Sequence, residues 1–191
     1  MRKLPIRWKS PNGSHLILRQ MRADDADGVK TSLNQLSPTA RRYRFFTPVR
    51  EFTDEMVSRL VDVDPAKEFA VVVLHSEEGQ EIPVAGGRFV IDGRDCEFSL
   101  VVGDDWQGQG IGRRILKALM YEASRRGLNK IIGYVLTENL AMIELGRRMK
   151  FELLDSEEGQ SVKCLARQLP KLPVGFLEKM VLRLRSRKLN I

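Results

Sequence analysis

The segment Val101–Arg114 constrains the fold more than any other part of the chain. A β-rich run stops there, the six residues Gln107–Gly112 supply three glycines, and a helical pattern begins at once. Glycine has no Cβ, so backbone N–H groups at such a turn can approach a bound group closely. At a helix start those N–H groups have no internal partner and sit at the positive end of the helix macrodipole. A strand that runs through such a turn into a helix therefore builds an anion site, and phosphate is the usual anion.

Two familiar phosphate loops are excluded by spacing. Gly108 is followed four residues later by Gly112, but then by Arg113 and Arg114, where a P-loop needs Lys-Ser/Thr. The pattern Gly108-x-Gly110-x-Gly112 also departs from Gly-x-Gly-x-x-Gly, and no acid lies between Glu122 and Glu138 to serve as the ribose-binding carboxylate of a dinucleotide fold. A glycine-rich turn before an ordinary helix is the remaining alternative.

The flanking patterns predict a mixed, mostly antiparallel sheet with helices against it. Residues 1–14, with Pro5, Pro11 and Gly13, read as an irregular lead-in, and Leu16–Gln20 as a first strand. Asp24 or Asp25 caps a helix to about Leu36, Ser37-Pro38 restarts one through Tyr43, and Thr53-Asp54-Glu55 opens a third that Pro65 ends. The runs Phe69–Leu74, Val84–Ile91 and Cys96–Val102, joined by turn residues, form a meander. Ile111, Ile115, Ala118 and Leu119 share a helical face, and Gly127 sits where that helix should stop. Ile131–Val135, a helix through Met142, Leu145 and Met149, and two last strands, Phe151–Leu154 and Val162–Ala166, complete the order.

The spacing Gln107-x-x-Gly110-x-Gly112 resembles the pyrophosphate motif Gln/Arg-x-x-Gly-x-Gly/Ala of the GNAT acyltransferases. The order strand, glycine loop, helix, strand, Asn139, helix over about residues 96–168 agrees with that family. Arg19–Asp25 and Leu36–Phe46 look like its bacterial protein lysine acetyltransferase branch. The resemblance implies an α/β (α+β) GNAT fold over residues 15–169; residues 170–191 lie outside it and read as a basic amphipathic extension. It implies an acetyl-coenzyme A-dependent N-acetyltransferase whose acceptor is an amine, a protein lysine in that branch. The alternatives are a small-molecule amine acceptor, such as a polyamine or amino acid, and a coenzyme-binding regulatory module without catalysis.

Acyl transfer to an amine needs a held coenzyme, a polarised carbonyl, a neutral amine and a proton for the departing thiolate. As the resemblance implies, Gln107 and the amides of Gly108, Gln109, Gly110, Ile111 and Gly112 hold the pyrophosphate. The main chain of Leu100, Val101 and Val102 pairs with the pantetheine arm, and an N–H near Val101 or Val102 polarises the carbonyl. Arg113 and Arg114 stand in the first helical turn, a poor place for cations unless anions are near, so one of them is expected at a phosphate; otherwise both are solvated. A lysine amine has a pKa of about 10.4, and neutralising it at pH 7 costs roughly 4–5 kcal/mol. A positioned base lowers that barrier. Period two places Glu97, Ser99 and Val101 on one strand face, and Glu97 matches the family's general base; an exposed or salt-bridged glutamate is the alternative. Asn139 is a candidate coenzyme contact, a helix N-cap, or both. Many GNAT enzymes protonate the thiolate from a tyrosine after this Asn, but none occurs between Leu140 and Phe151. Tyr134 reads as a packing residue, leaving solvent as proton source. Lys150 replaces the glycine common before the family's phenylalanine.

The net charge of +7 permits nucleic acid, but the basic clusters are scattered and aromatics are few, so none is expected as partner. Cys96 and Cys164 form no paired motif and lack a matched histidine base. His15 and His75 have no ligand spacing, so no metal is expected. No early apolar core marks a signal peptide and no run reaches membrane-span length, so a cytoplasmic protein is expected. Beyond Pro170 and Pro173, Leu177, Met180, Val181 and Leu184 form an apolar stripe opposite Lys179, Arg183, Arg187 and Lys188. This reads as a helix docked on the domain, on a partner subunit of a homo-oligomer, or on an acidic or membrane surface.

Overall fold

The computed structural model describes residues 4–77 and 79–171. Its elements run β1 (Ile6–Lys9), β2 (His15–Gln20), α1 (Ala26–Gln35), α2 (Pro38–Phe45), α3 (Asp54–Val61), β3 (Glu68–Glu77), β4 (Gln80–Asp92) and β5 (Asp95–Val102). They continue with α4 (Ile111–Arg125), β6 (Lys130–Leu136), α5 (Leu140–Arg148), β7 (Glu152–Asp155) and β8 (Val162–Gln168). The eight strands form one sheet in the order β1-β2-β3-β4-β5-β6-β8-β7. Every neighbouring pair is antiparallel except β5 with β6. That parallel pair requires a crossover, which α4 supplies.

Alternation along the strands gives the sheet two covered faces. Val71, Val73, Phe89 and Phe98 join Ile111, Ile115 and Leu119 of α4 in one core. Gly87 is needed there, because a Cβ would lie 2.4 Å from Ile115 Cγ2. On the other face α1, α2 and α3 enclose Val29, Leu33, Ala40, Phe52 and Val57, with Val101 of β5 packed against them. The helix starts follow the expected chemistry: the Ser37 and Thr53 hydroxyls accept from the amides of Ala40 and Met56. Gly127 takes φ +77 just past α4.

Residues 6–9 are not irregular. They form an edge strand, with Ile6 opposite Leu18 and Trp8 opposite Leu16. Four residues between prolines carry too short a period to announce a strand; pairing with β2 makes it one. Lys150 adopts φ +59, so the turn before Phe151 keeps the left-handed backbone that a glycine would take without strain. The helix expected within residues 177–188 lies outside the described residues.

Asp25 ties β2 to the start of α1. It is 7% exposed and accepts from Arg19 Nη1 and Nη2 at 2.8 and 2.6 Å and from the Arg22 amide at 2.8 Å. Burial alone would raise its carboxyl pKa, but Arg19 and the Arg22 amide outweigh burial and hold it below the ordinary value. The folded value is thus the lower one. The stability this gives is present above the unfolded value of about 3.9 and is lost as pH falls through the folded value. Asp25→Asn is expected to cost about 3 kcal/mol in urea unfolding at pH 7, with the gap to the wild type closing on acidification.

Candidate active site

β5 and β6 begin as a parallel pair and then part. Their register runs Asp95↔Lys130, Cys96↔Ile131 and Glu97↔Ile132 and stops, although β5 continues to Val102 and β6 to Leu136. The next pair in that register would be Phe98 with Gly133. Phe98 fills that space itself: a Cβ on Gly133 would lie 2.5 Å from its ring, which also meets Phe151 at 5.6 Å between centroids. The aromatic ring thus lies over Gly133 on the core face, at the point where the strands part. Beyond it, one edge of β5 is free.

Pairing with β4 decides which main-chain groups face that edge. β5 is paired along its other side from Asp92↔Asp95 to Ala85↔Val102, and the Gly103 amide donates to Val84 O at 2.9 Å. Alternation then turns Ser99 and Val101 toward β4, and Phe98, Leu100 and Val102 toward the open cleft. Of the three residues expected to present main chain, Leu100 and Val102 do so. Val101 does not: its backbone is committed to β4, and its side chain faces the α1–α3 layer. The Val102 carbonyl accepts from Gln107 Nε2 at 3.2 Å, which fastens the loop to the strand end.

The loop has the build of an anion site. Gly108 and Gly110 take φ +72 and +76, and a Cβ on either would meet nothing within 4 Å. Gly112 is held differently, because a Cβ there would lie 3.2 Å from Leu145 Cδ2. Gly110 is the N-cap of α4 and no side chain caps the helix. Among the described residues, the amides of Gly108, Gln109, Gly110, Ile111, Gly112 and Arg113 donate to no protein acceptor, while Gln109 Nε2 holds Asp105 O at 3.1 Å. Arg113 is exposed. Arg114 lies over the Trp8 ring at 4.6 Å, so β1 engages one of the two arginines considered for a phosphate.

Glu97 stands at the fork with its side chain exposed. Tyr134, two residues past Ile132 on β6, shares its face and is 37% exposed; it is not a packing residue. Its hydroxyl pKa is raised, by burial first and then by the charges of Cys164 and Glu97, so it stays protonated at neutral pH. Asn139 caps α5, accepting from the Met142 amide at 3.1 Å. Burial pushes the Cys96 thiol up to about 12 and raises that of Cys164, so neither is a ready nucleophile at pH 7.

α2 bridges the mouth of the cleft. Ser37, at its start, donates through its amide and hydroxyl to Asp104 at 2.9 and 2.7 Å. Near its end, Arg42 pairs with the Glu138 carboxylate and the Tyr43 hydroxyl donates to Glu138 O at 3.3 Å. One helix is thus tied to the exits of both parted strands. Under α1 and α2, beside β5, lies an apolar cavity of about 280 Å³ whose lining includes Val72, Gly86, Val101, Arg44 and Arg88. Sequence reasoning missed it: Arg44 entered only within the stretch Leu36–Phe46. Among the described residues no helix is long and apolar enough to cross a membrane.

Comparison with known proteins agrees with this geometry. Residues 15–152 match the family model described as the acetyltransferase (GNAT) domain. An acetyltransferase of Pseudomonas aeruginosa is 28% identical over 136 residues, 70% of this chain and 73% of its own length. The acetyltransferase Pat of Mycolicibacterium smegmatis is 36% identical over 148 residues, 76% of this chain but only 44% of its own length. The GNAT domain of PAT from S. lividans superposes with a TM-score of 0.77 at 20% identity, covering 88% of this chain and 100% of that domain.

Proposed function

Because the chain belongs to the GNAT acetyltransferase family, we propose that it moves an acetyl group from acetyl-coenzyme A directly to an amine, with a protein lysine as the acceptor. The observation that carries this reading is the free edge of β5 beyond Glu97↔Ile132, which ends in a loop of unpaired amides. These groups fit the coenzyme: the amides of Gly108–Gly112 would hold its pyrophosphate, and the outward main chain of Leu100 and Val102 its amide-bearing arm. Bound acetyl-coenzyme A supplies an acyl thioester.

The chain's own residues supply the rest. The Leu100 or Val102 N–H, facing the cleft, is the donor that polarises the carbonyl. Glu97 takes a proton from the acceptor ammonium, directly or through water, at the point where the strands part. Tyr134, protonated and exposed on the same face, is our candidate for returning a proton to the thiolate. The raised thiols of Cys96 and Cys164 argue against a covalent cysteine intermediate. A lysine acceptor is supported by the resemblance of Arg19–Asp25 and Leu36–Phe46 to the protein lysine acetyltransferase branch.

The test is incubation with isotopically labelled acetyl-coenzyme A and three acceptor classes: folded lysine-bearing proteins, spermidine and free amino acids. Mass spectrometry should find label on lysine side chains. Label confined to either small-molecule class would overturn the lysine acceptor. Coenzyme binding with no labelled amine at all would leave a regulatory module in place of an enzyme.

A further inference from the structure

The cavity beside β5 contains a charge with which no described residue pairs. Arg44 reaches it from the last turn of α2 and stacks on Phe45 at 4.7 Å. Its guanidinium makes no hydrogen bond or ion pair with any described residue. Burial, and then the charge of Arg88, lowers its pKa to about 10, against the opposing pull of Glu97. Arg88 also lines the cavity. Its terminal nitrogens serve Glu68 and the Arg59 carbonyl, but its Nε is buried without a partner. Glu97 does not fill the gap, since no ion pair joins it to Arg44 and its side chain is exposed.

An unpaired guanidinium in an apolar setting is costly, and adding an anion there relieves the cost. Two guanidinium groups lining one cavity make it complementary to a carboxylate. Much of the remaining lining, including Val72, Gly86, Val101 and Leu33, is apolar and suits hydrocarbon, while His75, Glu77, Asp104 and Asp105 supply its polar part. About 280 Å³ is far more than an acetyl group requires, since one liquid water takes about 30 Å³.

We propose that Arg44, beside Arg88, is the counter-ion for a carboxylate carried on an apolar arm of a substrate, and that this pairing selects what enters the cavity. The inference rests on the acyl-transfer reading of the same site. Such an arm comes either from an amine acceptor that also bears a carboxylate or from a dicarboxylic acyl group on the coenzyme.

Two matched pairs distinguish the sources. Leucine and leucinamide are compared as acceptors of acetyl-coenzyme A; succinyl- and propionyl-coenzyme A are compared as donors to one lysine-bearing protein. In one pair kcat/KM should favour the carboxylate member. Arg44→Gln should shrink that preference by about 10- to 100-fold, and Arg44→Lys should restore part of it. Taking the ratio between wild type and variant cancels the differing basicity of the amines. The pair that responds identifies the source. Separately, calorimetry should show the wild type binding 4-methylpentanoate more tightly than 4-methylpentanamide, with the difference lost in Arg44→Gln. This readout needs no turnover, so it stands even if the acyl-transfer reading fails. Arg44→Gln removes a half-buried cation that pairs with no described residue and should melt no lower than the wild type. Equal preferences in wild type and variant for both pairs, with no calorimetric difference between acid and amide, would overturn the proposal.

Discussion

Replacing Glu97 by Gln is expected to lower kcat/KM for acyl transfer at pH 7 by about 10²- to 10⁴-fold, with the KM for acetyl-coenzyme A unchanged. The change keeps the shape of the side chain and removes its capacity to accept a proton. Because Glu97 is exposed and forms no ion pair or hydrogen bond with a described residue, the thermal midpoint should stay within a degree or two. That separates a base from a structural glutamate, whose loss would appear in stability. The variant should also respond to pH differently. With no carboxylate to take the ammonium proton, turnover depends on the fraction of amine already neutral, which rises tenfold per pH unit below about 10.4. The wild type should flatten at a lower pH. Wild-type-like rates for Glu97→Gln across the pH range would remove Glu97 from the mechanism.

The glycine loop is legible in the sequence because its residues act locally. Gly108 and Gly110 are chosen for backbone angles, and those angles persist wherever the loop is placed. Glu97 is legible for a similar reason: period two fixes its face, and only ten residues separate it from Gln107. The fork is not local. It lies where Phe98 meets Gly133, residues with no sequence relation that become neighbours only after α4 carries the chain across. The direction of the Val101 backbone was recoverable in principle. The turn at Gly93 and Arg94 pairs Asp92 with Asp95, and counting from that pair sends Val101 to β4. Arg44 was recoverable too, since it lies four residues beyond Ala40, a buried position of α2. What no pattern carried was the lack of a partner for it, which follows from how α2 settles over β4 and β5. β1 stayed hidden because its stability comes from β2 and from the stacking of Trp8 under Arg114.

Gly110→Val is expected to weaken acetyl-coenzyme A binding by about 10²- to 10⁴-fold while costing only about 1–2 kcal/mol of stability. Gly110 holds φ +76 and ψ +9 at the N-cap of α4, a conformation in which a β-branched residue is an outlier. Packing does not oppose the substitution, because a Cβ there meets nothing within 4 Å. The strain is therefore relieved by the backbone, which turns toward negative φ and swings the neighbouring amides out of convergence. Two or three N–H groups aimed at a diphosphate are lost together, each worth about 1.5–3 kcal/mol to a charged acceptor before losses overlap. Gly93→Val is the control. Gly93 takes φ +57 in the β4–β5 turn, also with open space around a Cβ, but it stands at the opposite end of β5 from the loop. Both variants should lose comparable stability in urea unfolding, and only Gly110→Val should lose the coenzyme in calorimetry. Parallel losses of affinity in the two would mean that the loop amides do not hold the phosphates, and that general backbone strain, transmitted along β5, had been mistaken for a binding site.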